Sequence, residues 1–292
     1  MHKFLRAVGF SKIRKKDLEI ITEEIIEHPD TMKITKDSEG NEFAEFSKAY
    51  APNLGVMVRG TYDEEDEFHM EYCVPYALGT EISTQEQIEI EKHAEKESFA
   101  GVCDEMRIGV TLIFYLQNVA DFLSEHRKNI QVKNLHGAVL SALSVEGKIL
   151  LPIEQKKATK TQTNSKREKR SQLLAEAREG NEDAIENLTI EDMDTYSALS
   201  KRIMKEDVFS IVSSSFMPYG IECDQYSIVA EILELEELTN LLTNEKIYSM
   251  KVECNDIIFN VTINKEDLLG EPAVGRRFKG IIWMQGHINF PE

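Results

Sequence analysis

The chain has 292 residues, of which 41% are hydrophobic and 29% are charged, and its formal net charge at pH 7 is −18. These fractions are typical of soluble globular proteins, and the length allows two domains of ordinary size. No stretch approaches the roughly 18 consecutive apolar residues that a membrane-spanning helix needs. The acidic balance also disfavours binding to the phosphate backbone of a nucleic-acid duplex.

The first residues and the cysteines together predict a cytoplasmic protein. The stretch MHKFLRAVGFSKIRKKD lacks the continuous apolar segment and the small-residue cleavage site of a secretory signal. The four cysteines lie far apart and form no Cys-x-x-Cys pair. This pattern is typical of a reducing compartment, so we expect free thiols and no disulfide framework. The cysteines are Cys73, Cys103, Cys223 and Cys254.

The N-terminal part of the chain is predicted to combine an antiparallel sheet with a few helices. Helical spacing of apolar residues, with breakers after it, predicts helices over 2–8, 15–27 and 119–126. Alternation of apolar and polar residues between turn signals predicts the strands. They are expected over 42–50, 54–62, 67–74, 87–93 and 108–116.

Two features of this part predict where individual strands lie. The stretch IGVTLIFYL at 108–116 is apolar on both faces, which is typical of a central strand. Residues 137–143 and 148–153 are predicted to form a hairpin that turns at 145–147. Pro152 would place the second strand of that hairpin at an edge or a terminus, because proline cannot donate a ladder hydrogen bond.

The C-terminal part is predicted to begin with helices and to end with a sheet. Helices are expected over 166–179, 182–188 and 190–205, and strands over 226–233, 247–254, 257–263 and 277–283. Asn255–Asp256 suits a two-residue hairpin turn, whereas 208–216 fits either a helix or a strand. Four strands, with a helical turn over 265–270 before the last, fit a small half-open barrel of the OB type. An ordinary antiparallel sheet fits nearly as well.

A polar, basic stretch separates these two parts. Residues 155–170 contain seven Lys or Arg and one Glu, and Ala158 is the only apolar residue among them. Such a segment buries too little surface to offset the entropy lost on ordering it. The sequence therefore predicts an α+β protein with two domains, 1–154 and 171–292, joined by a basic flexible linker at 155–170.

A cluster of positive charge in the acidic C-terminal part is a candidate ligand site. Arg276, Arg277 and Lys279 follow a glycine-containing loop, and Trp283 lies close behind them. Arginine and lysine can hold an anion, and an aromatic ring can stack on a single nucleic-acid strand. No Gly-Lys-Ser/Thr follows, so the loop is no phosphate-binding loop. The alternative is an ordinary loop whose arginines pair with surface carboxylates.

Three residues on one strand are a candidate metal site. His69, Glu71 and Cys73 alternate with other residues, so a regular strand would present all three on one face. Imidazole, carboxylate and thiolate are ligands of transition metals, and His93 or Cys103 could complete the set. The alternative is the solvent-exposed face of an antiparallel strand.

Two further patterns have a catalytic and a structural interpretation. Cys103, with His93 or His136, could act as a thiol nucleophile, but its acidic neighbours would raise the pKa of the thiol, which favours a structural cysteine. Glutamates in the stretch 231–237 could supply a catalytic carboxylate pair, or they could form a solvated strand edge that discourages aggregation. We therefore predict no catalytic residue and no cofactor.

Four stretches carry a resemblance to a known family. They are IGVTLIFYLQN at 108–118, LSVEGKILLPI at 143–153, FMPYGIECDQYSIVAEI at 216–232 and KEDLLGEPAVGRRFKGIIWMQGHI at 265–288. Together they resemble an uncharacterised family, a domain of unknown function, from anaerobic Gram-positive bacteria. The resemblance spans nearly the whole chain and implies an intracellular bacterial protein, but it implies no activity or site.

The sequence favours a non-catalytic cytoplasmic binding or interaction protein that has a protein partner or forms a homo-oligomer. The alternative is a protein that binds a small molecule or an anion around Arg276, Arg277, Lys279 and Trp283, and such a protein could be an enzyme. A metal-dependent protein that uses His69, Glu71 and Cys73 is a third hypothesis. Binding of nucleic acid through the basic linker ranks last.

Overall fold

A computed structural model of the chain describes residues 2–92, 97–127, 135–153, 169, 172–173, 176–177, 180–203, 212–221 and 223–290. The fold is α+β, with more strand than helix among these residues. The chain divides into two compact units. One contains Met1–Leu150 together with Ser214–Glu292, and the other contains Leu151–Ser213.

The first unit begins with a 3₁₀ helix at Lys3–Val8 and helix α1 at Lys15–Glu27, followed by a four-stranded antiparallel sheet, the small sheet. Lys48 of this sheet pairs with Glu24 of α1 at 3.0 Å, and Ile21 and Ile25 of α1 belong to the same buried cluster as the sheet. The helix therefore covers one face of the sheet. The strands, in spatial order, are β1 Thr31–Lys36, β2 Glu42–Ala51, β3 Leu54–Tyr62 and β4 Phe68–Ala77.

The other strands of this unit form one ten-stranded mixed sheet, the large sheet. Helix α2, Val119–Arg127, follows its third strand, and a 3₁₀ helix at Lys265–Asp267 follows its eighth. The strands are β5 Thr84–Lys92, β6 Phe99–Glu105, β7 Val110–Leu116, β8 Leu135–Leu150, β9 Ser215–Pro218, β10 Gln225–Thr239, β11 Lys246–Cys254, β12 Ile257–Asn264, β13 Leu268–Leu269 and β14 Arg277–Ile288.

Strands β8 and β14 form an antiparallel ribbon at the centre of the large sheet, with Ala138 opposite Ile288 at one end and Leu150 opposite Arg277 at the other. At one end of this ribbon, β5, β6 and β7 connect β8 to β14 and close a ring of five strands, the N ring. At the other end, β12, β11 and β10 connect the same two strands and close the C ring. Each ring contains one parallel pairing, β7 with β14 and β12 with β8.

The two rings repeat one order of elements along the chain. A meander of three strands is followed by a helical segment and a long fourth strand. This unit occurs as β5–β6–β7–α2–β8 and again as β10–β11–β12–3₁₀ helix–β14, where the two-residue strand β13 lies between the 3₁₀ helix and β14. The fourth strand of each repeat is also the fifth strand of the other ring. Apolar residues from both rings form one continuous cluster that includes Phe114, Leu140, Ile232, Phe259 and Phe278.

This connectivity does not confirm the predicted division into domains 1–154 and 171–292. Strands from both parts pair in the large sheet and share one core, because the ribbon takes one strand from each part. A sequence pattern shows which face of a strand is apolar, but not which distant strand pairs with it. Apart from Lys169, the predicted linker 155–170 lies outside the described residues.

The hairpin predicted over 137–153 is wrong. The structure has a single strand, β8, because β14 is long enough to pair with it from Ala138 to Leu150. The turn signal at 145–147 coincides with a bulge, where Ile281 pairs with Glu146 and Ile282 pairs with Ser144. The extra residue, Val145, is thus accommodated without ending the strand.

Most other predicted elements are present with small changes of boundary. Helix α1, β3 and the hairpin at Asn255–Asp256 agree with the prediction, and both turn residues have positive φ. Strand β6 was missed, and the helices predicted over 182–188 and 190–205 form one helix, α3, at Glu182–Ile203. Part of the stretch 208–216 and most of the helix predicted over 166–179 lie outside the described residues.

Candidate functional site

The most deeply buried charge that the structure describes is Arg59 on β3, whose side chain is 0% exposed. Its guanidinium donates to Glu45 of β2 at 2.7 Å, to the hydroxyl of Tyr115 on β7 at 2.6 Å and to the backbone carbonyl of Gln117. Burial opposes the charged form, but Tyr115 and Glu45 outweigh it and raise the pKa of Arg59. This cluster holds the small sheet against the large one. No sequence pattern predicts it, because its members are remote along the chain.

A neutral polar network continues the same contact between the sheets. Gln117 donates to the carbonyl of Ala77 at 2.6 Å and to Gln285 at 3.0 Å, and Gln285 donates to the carbonyl of Pro75 at 2.9 Å. Ser141 also donates to the carbonyl of Ala77. These bonds satisfy the last carbonyls of β4, which would otherwise be buried without partners. The network and the arginine cluster have the properties of a structural interface.

A pocket of about 510 Å³, the mouth pocket, opens at one end of the C ring. Tyr248 and Leu235 line it, and both pack against the core of the ring. Lys265 lies over the ring of Tyr248, with its ammonium 5.4 Å from the ring centroid, and it pairs with Glu237 at 2.9 Å. The remaining lining residues are Leu268, Gly270, Glu271 and Pro272.

A second concave surface of about 350 Å³, the ribbon groove, lies along β8 and β14. Lys148 and Lys279 stand opposite each other in the antiparallel register and both line the groove. Strand β13 separates the groove from the mouth pocket, because Leu269 lines the groove and Leu268 lines the pocket. The remaining lining residues are Glu146, Gly147, Tyr219, Ser227, Gly280 and Ile281.

The structure places the four residues of the predicted ligand site in different surroundings. Trp283 is 5% exposed and packs against Phe4, with ring centroids 5.3 Å apart, so its faces are not open for stacking. Arg277 is buried opposite Glu231 on β10, and Arg276 donates to the carbonyl of Glu271 at 2.6 Å. Of the four, Lys279 lines the ribbon groove.

The structure does not bring His69, Glu71 and Cys73 together. The register of β4 on β3 shifts by one residue at Glu71. Because side chains alternate along a strand, this extra residue puts His69 and Cys73 on opposite faces of the small sheet. His93 lies outside the described residues, and Cys103 is on β6 of the other sheet.

His69 instead lies near two acidic side chains of the β3–β4 hairpin. Ligand atoms of Asp63, Glu67 and His69 lie within 4.8 Å of one another, and all three residues are exposed. Asp63 already bonds the ring of His69 at 2.6 Å and accepts the backbone N–H of Glu65 and of Glu67. These hydrogen bonds belong to a tight turn, which explains why the three side chains lie close together. We therefore assign no metal to this cluster.

The buried thiols have the properties of structural cysteines. Burial, with a smaller contribution from nearby Glu105, raises the pKa of Cys103 to about 12, and burial raises the pKa of Cys254 to about 12 as well. A thiol with such a pKa holds little thiolate at neutral pH, and the thiolate is the nucleophile. His93 and the side chain of His136, the two histidines considered as partners of Cys103, lie outside the described part of the chain.

The glutamates at 231–237 lie on β10, where Glu234 and Glu237 have basic partners. Glu234 pairs with Lys251 at 2.8 Å, and Glu237 pairs with Lys265. The hydrogen bond from Lys265 lowers the pKa of Glu237. A paired, ionised carboxylate suits a solvated strand better than a general acid.

Comparison with known proteins places the chain in a family without assigning an activity. Among the described residues, no helix has the length and apolar character needed to cross a membrane. Neither the curated proteins nor the solved structures contain a match. A family model described as "Domain of unknown function, E. rectale Gene description (DUF3881)" matches residues 5–286. The chain therefore belongs to this family of unknown function.

Proposed function

We propose that the protein is a non-catalytic binding protein that holds a small ligand in the mouth pocket of the C ring. The observation that carries this proposal is the pocket itself. Its volume, about 510 Å³, lies within the ~300–1,000 Å³ of small-molecule sites, which often occupy the mouths of β-barrels. Its lining combines the apolar side chains of Leu235, Tyr248, Leu268 and Pro272 with the charged groups of Lys265, Glu237 and Glu271.

We infer that both rings are OB-type barrels. Each ring has five strands, a three-strand meander and a helical segment before the fourth strand, which is the pattern considered for the C-terminal part of the sequence. In the C ring the long strand β10 pairs with β14 along its first half and with β11 along its second half. OB barrels bind oligonucleotides and oligosaccharides, which makes sugars the first ligands to test on so acidic a protein.

The charges in the mouth pocket favour binding over catalysis. Side-chain hydrogen bonding between Lys265 and Glu237 lowers the pKa of the carboxyl group and raises the pKa of the ammonium group. A general acid or base works best with a pKa near the operating pH. Both pKa values are shifted away from neutral pH, so each group keeps its charge and can serve as a fixed hydrogen-bonding partner.

The test is a thermal-shift screen against oligosaccharides, nucleotides, amino acids and polyamines, followed by calorimetry of each hit. We expect Lys265→Met to weaken the binding of a hit about tenfold, and Lys12→Met, an exposed lysine paired with Glu266 at 3.0 Å, to leave it unchanged. NMR should show the ligand chemically intact after long incubation. The proposal would be refuted if the protein converted the ligand into a product. It would also be refuted if neither Lys265→Met nor Tyr248→Ala changed the affinity for any hit.

We also propose that a second copy of the chain pairs with β1. This strand ends the small sheet, and Met32 and Ile34 on it are 48% and 49% exposed. Exposed apolar residues on an edge strand favour association. Size-exclusion chromatography with light scattering should give a dimer mass, and Met32→Lys with Ile34→Lys should give a monomer. A wild-type monomer at all concentrations would remove this proposal.

We propose that the protein is cytoplasmic. The support is that Cys73, Cys103, Cys223 and Cys254 are all free in the structure, which suits a reducing compartment. Fractionation of cells that produce the protein, followed by immunoblotting, should recover it in the cytoplasmic fraction. Recovery from the culture medium would contradict this placement.

A further inference from the structure

The ribbon groove is another concave surface of the first unit, and it differs from the mouth pocket in its charge. Lys148 on β8 and Lys279 on β14 are a directly opposed cross-strand pair. Side chains in such a pair have Cβ atoms about 5 Å apart, and like charges placed there repel each other. The pair therefore concentrates positive potential on one wall of a groove in a protein whose net charge is −18.

Binding of a ligand does not require that the two lysines be without other interactions. Lys148 and Lys279 each take part in a further polar or electrostatic interaction. An ammonium group has three N–H donors, so one existing partner leaves donors for another. Lys148 is exposed and Lys279 is half-buried, so both are accessible from the groove.

Apart from Glu146, the rest of the groove is apolar with two hydroxyl groups. Leu269, 74% exposed, and Ile281 supply aliphatic surface, and Tyr219, 45% exposed, supplies an aromatic ring. Ser227 contributes a hydroxyl opposite Ile281. The volume of about 350 Å³ accommodates a small molecule rather than a polymer.

A neighbouring acidic residue limits the charge of the ligand that the ribbon groove can bind. Glu146 lines the groove two residues before Lys148, and it lies opposite Ile281 in the register. Its carboxylate would repel a second negative charge placed along the ribbon. The groove therefore suits one anionic head group beside the lysine pair, and it disfavours a polyanion such as a nucleic-acid strand.

We propose that the ribbon groove binds a small amphiphilic anion, with its carboxylate or phosphate head group between Lys148 and Lys279 and its apolar body against Leu269, Tyr219 and Ile281. This site is separate from the mouth pocket, on the opposite face of β13, and the proposal stands whether or not that pocket binds a ligand. It retains Lys279 from the cluster found in the sequence and replaces the other three members.

The test compares octanoate, octyl phosphate, octanol and octylamine by isothermal titration calorimetry at low ionic strength. We expect one or both anions to bind, octanol to bind at least tenfold more weakly and octylamine to give no binding. Raising the salt concentration should weaken binding of the anions because the contact is electrostatic. The preferred anion distinguishes a carboxylate ligand from a phosphate ligand.

Variants locate the site. Lys148→Met and Lys279→Met should each weaken anion binding about tenfold, whereas Lys148→Arg should keep most of it. Lys16→Met, which removes an exposed lysine of α1, and Tyr248→Ala in the mouth pocket should have no effect. If Lys279→Met does not fold, the comparison of Lys148→Met with Lys148→Arg decides the question.

Two results would overturn the proposal. One is that no anion binds to the wild-type protein at millimolar concentration. The other is that octanol binds as tightly as the anions and the lysine variants change nothing, which would make the groove a purely apolar surface. Neither result bears on ligands of the mouth pocket, so the two proposals can fail separately.

Discussion

Replacing Arg59 with methionine removes the charge that joins the small sheet to the large one. Methionine keeps most of the aliphatic length of arginine but none of its N–H groups, so little volume is lost. The Glu45 carboxylate, which is 5% exposed, would lose its partner at 2.7 Å. The hydroxyl of Tyr115 and the carbonyl of Gln117 would each lose a donor as well.

The expected loss in free energy of unfolding follows from the burial of the Arg59–Glu45 pair. Removing one member of a buried ion pair costs about 3–5 kcal/mol, because the other charge stays buried without compensation. That is a large share of the ~5–15 kcal/mol of a typical folded protein. For a domain of this size, each 1 kcal/mol lowers Tm by about 2–4 °C, so the expected fall is roughly 10 °C.

Urea unfolding followed by tryptophan fluorescence measures the effect directly. Trp283 is the single tryptophan of the sequence and is 5% exposed, so its emission should report unfolding of the core. Arg14→Met is the matched control, because Arg14 is 88% exposed and lies 3.5 Å from Asp17. Exposed pairs of this kind contribute at most about 1 kcal/mol.

The double variant Arg59→Met with Glu45→Leu tests whether the loss of stability in Arg59→Met comes from leaving the Glu45 carboxylate buried without a partner. Replacing both charges of a buried pair with apolar groups is often neutral or stabilising. We therefore expect the double variant to recover at least about 2 kcal/mol relative to Arg59→Met alone. A loss below about 1 kcal/mol for Arg59→Met, or simple additivity of the two single variants, would refute the reasoning.

Three further predictions concern the thiols, a glycine and pH. Cys223 is exposed and should react quickly with a thiol reagent in the native protein, whereas Cys254, whose pKa burial raises to about 12, should react only on unfolding; equal rates would contradict this. Gly280→Ala places a Cβ atom 2.5 Å from the Phe278 ring and 2.7 Å from the backbone carbonyl oxygen of Glu146, so it should cost about 1–3 kcal/mol in urea unfolding. Phe278→Leu should relieve only the part that comes from the ring, and an unchanged midpoint for Gly280→Ala would contradict the prediction. Burial, and to a smaller extent the charge of Lys3, lowers the pKa of His2 from 6.5 to about 4. As the pH falls, the unfolded chain therefore takes up a proton at His2 before the folded protein does, so stability should fall as pH drops from about 6.5 to 4. His2→Phe should flatten that part of the pH profile, and an unchanged slope would count against the assignment.

The sequence alone determined most of the local structure. The apolar spacing of α1, the alternation in β3 and the turn residues Asn255 and Asp256 set elements that depend on neighbours a few positions away, and the structure has them. Family membership was also readable from the sequence, because it depends on residue order alone. The acidic neighbours of Cys103 pointed correctly to a raised thiol pKa.

Tertiary structure decided the pairing of distant strands and everything that depends on it. The sequence of β8 predicted a hairpin, but β14, more than 120 residues later, pairs with β8 from Ala138 to Leu150 and keeps it a single strand. A one-residue register shift at Glu71 separated His69 from Cys73, and packing against Phe4 buried Trp283. The Arg59 cluster and the Lys148–Lys279 pair likewise join residues that are remote along the chain. The physical reason is that a residue pattern specifies the faces of a strand, whereas its partner and register are chosen by the packing of the whole core.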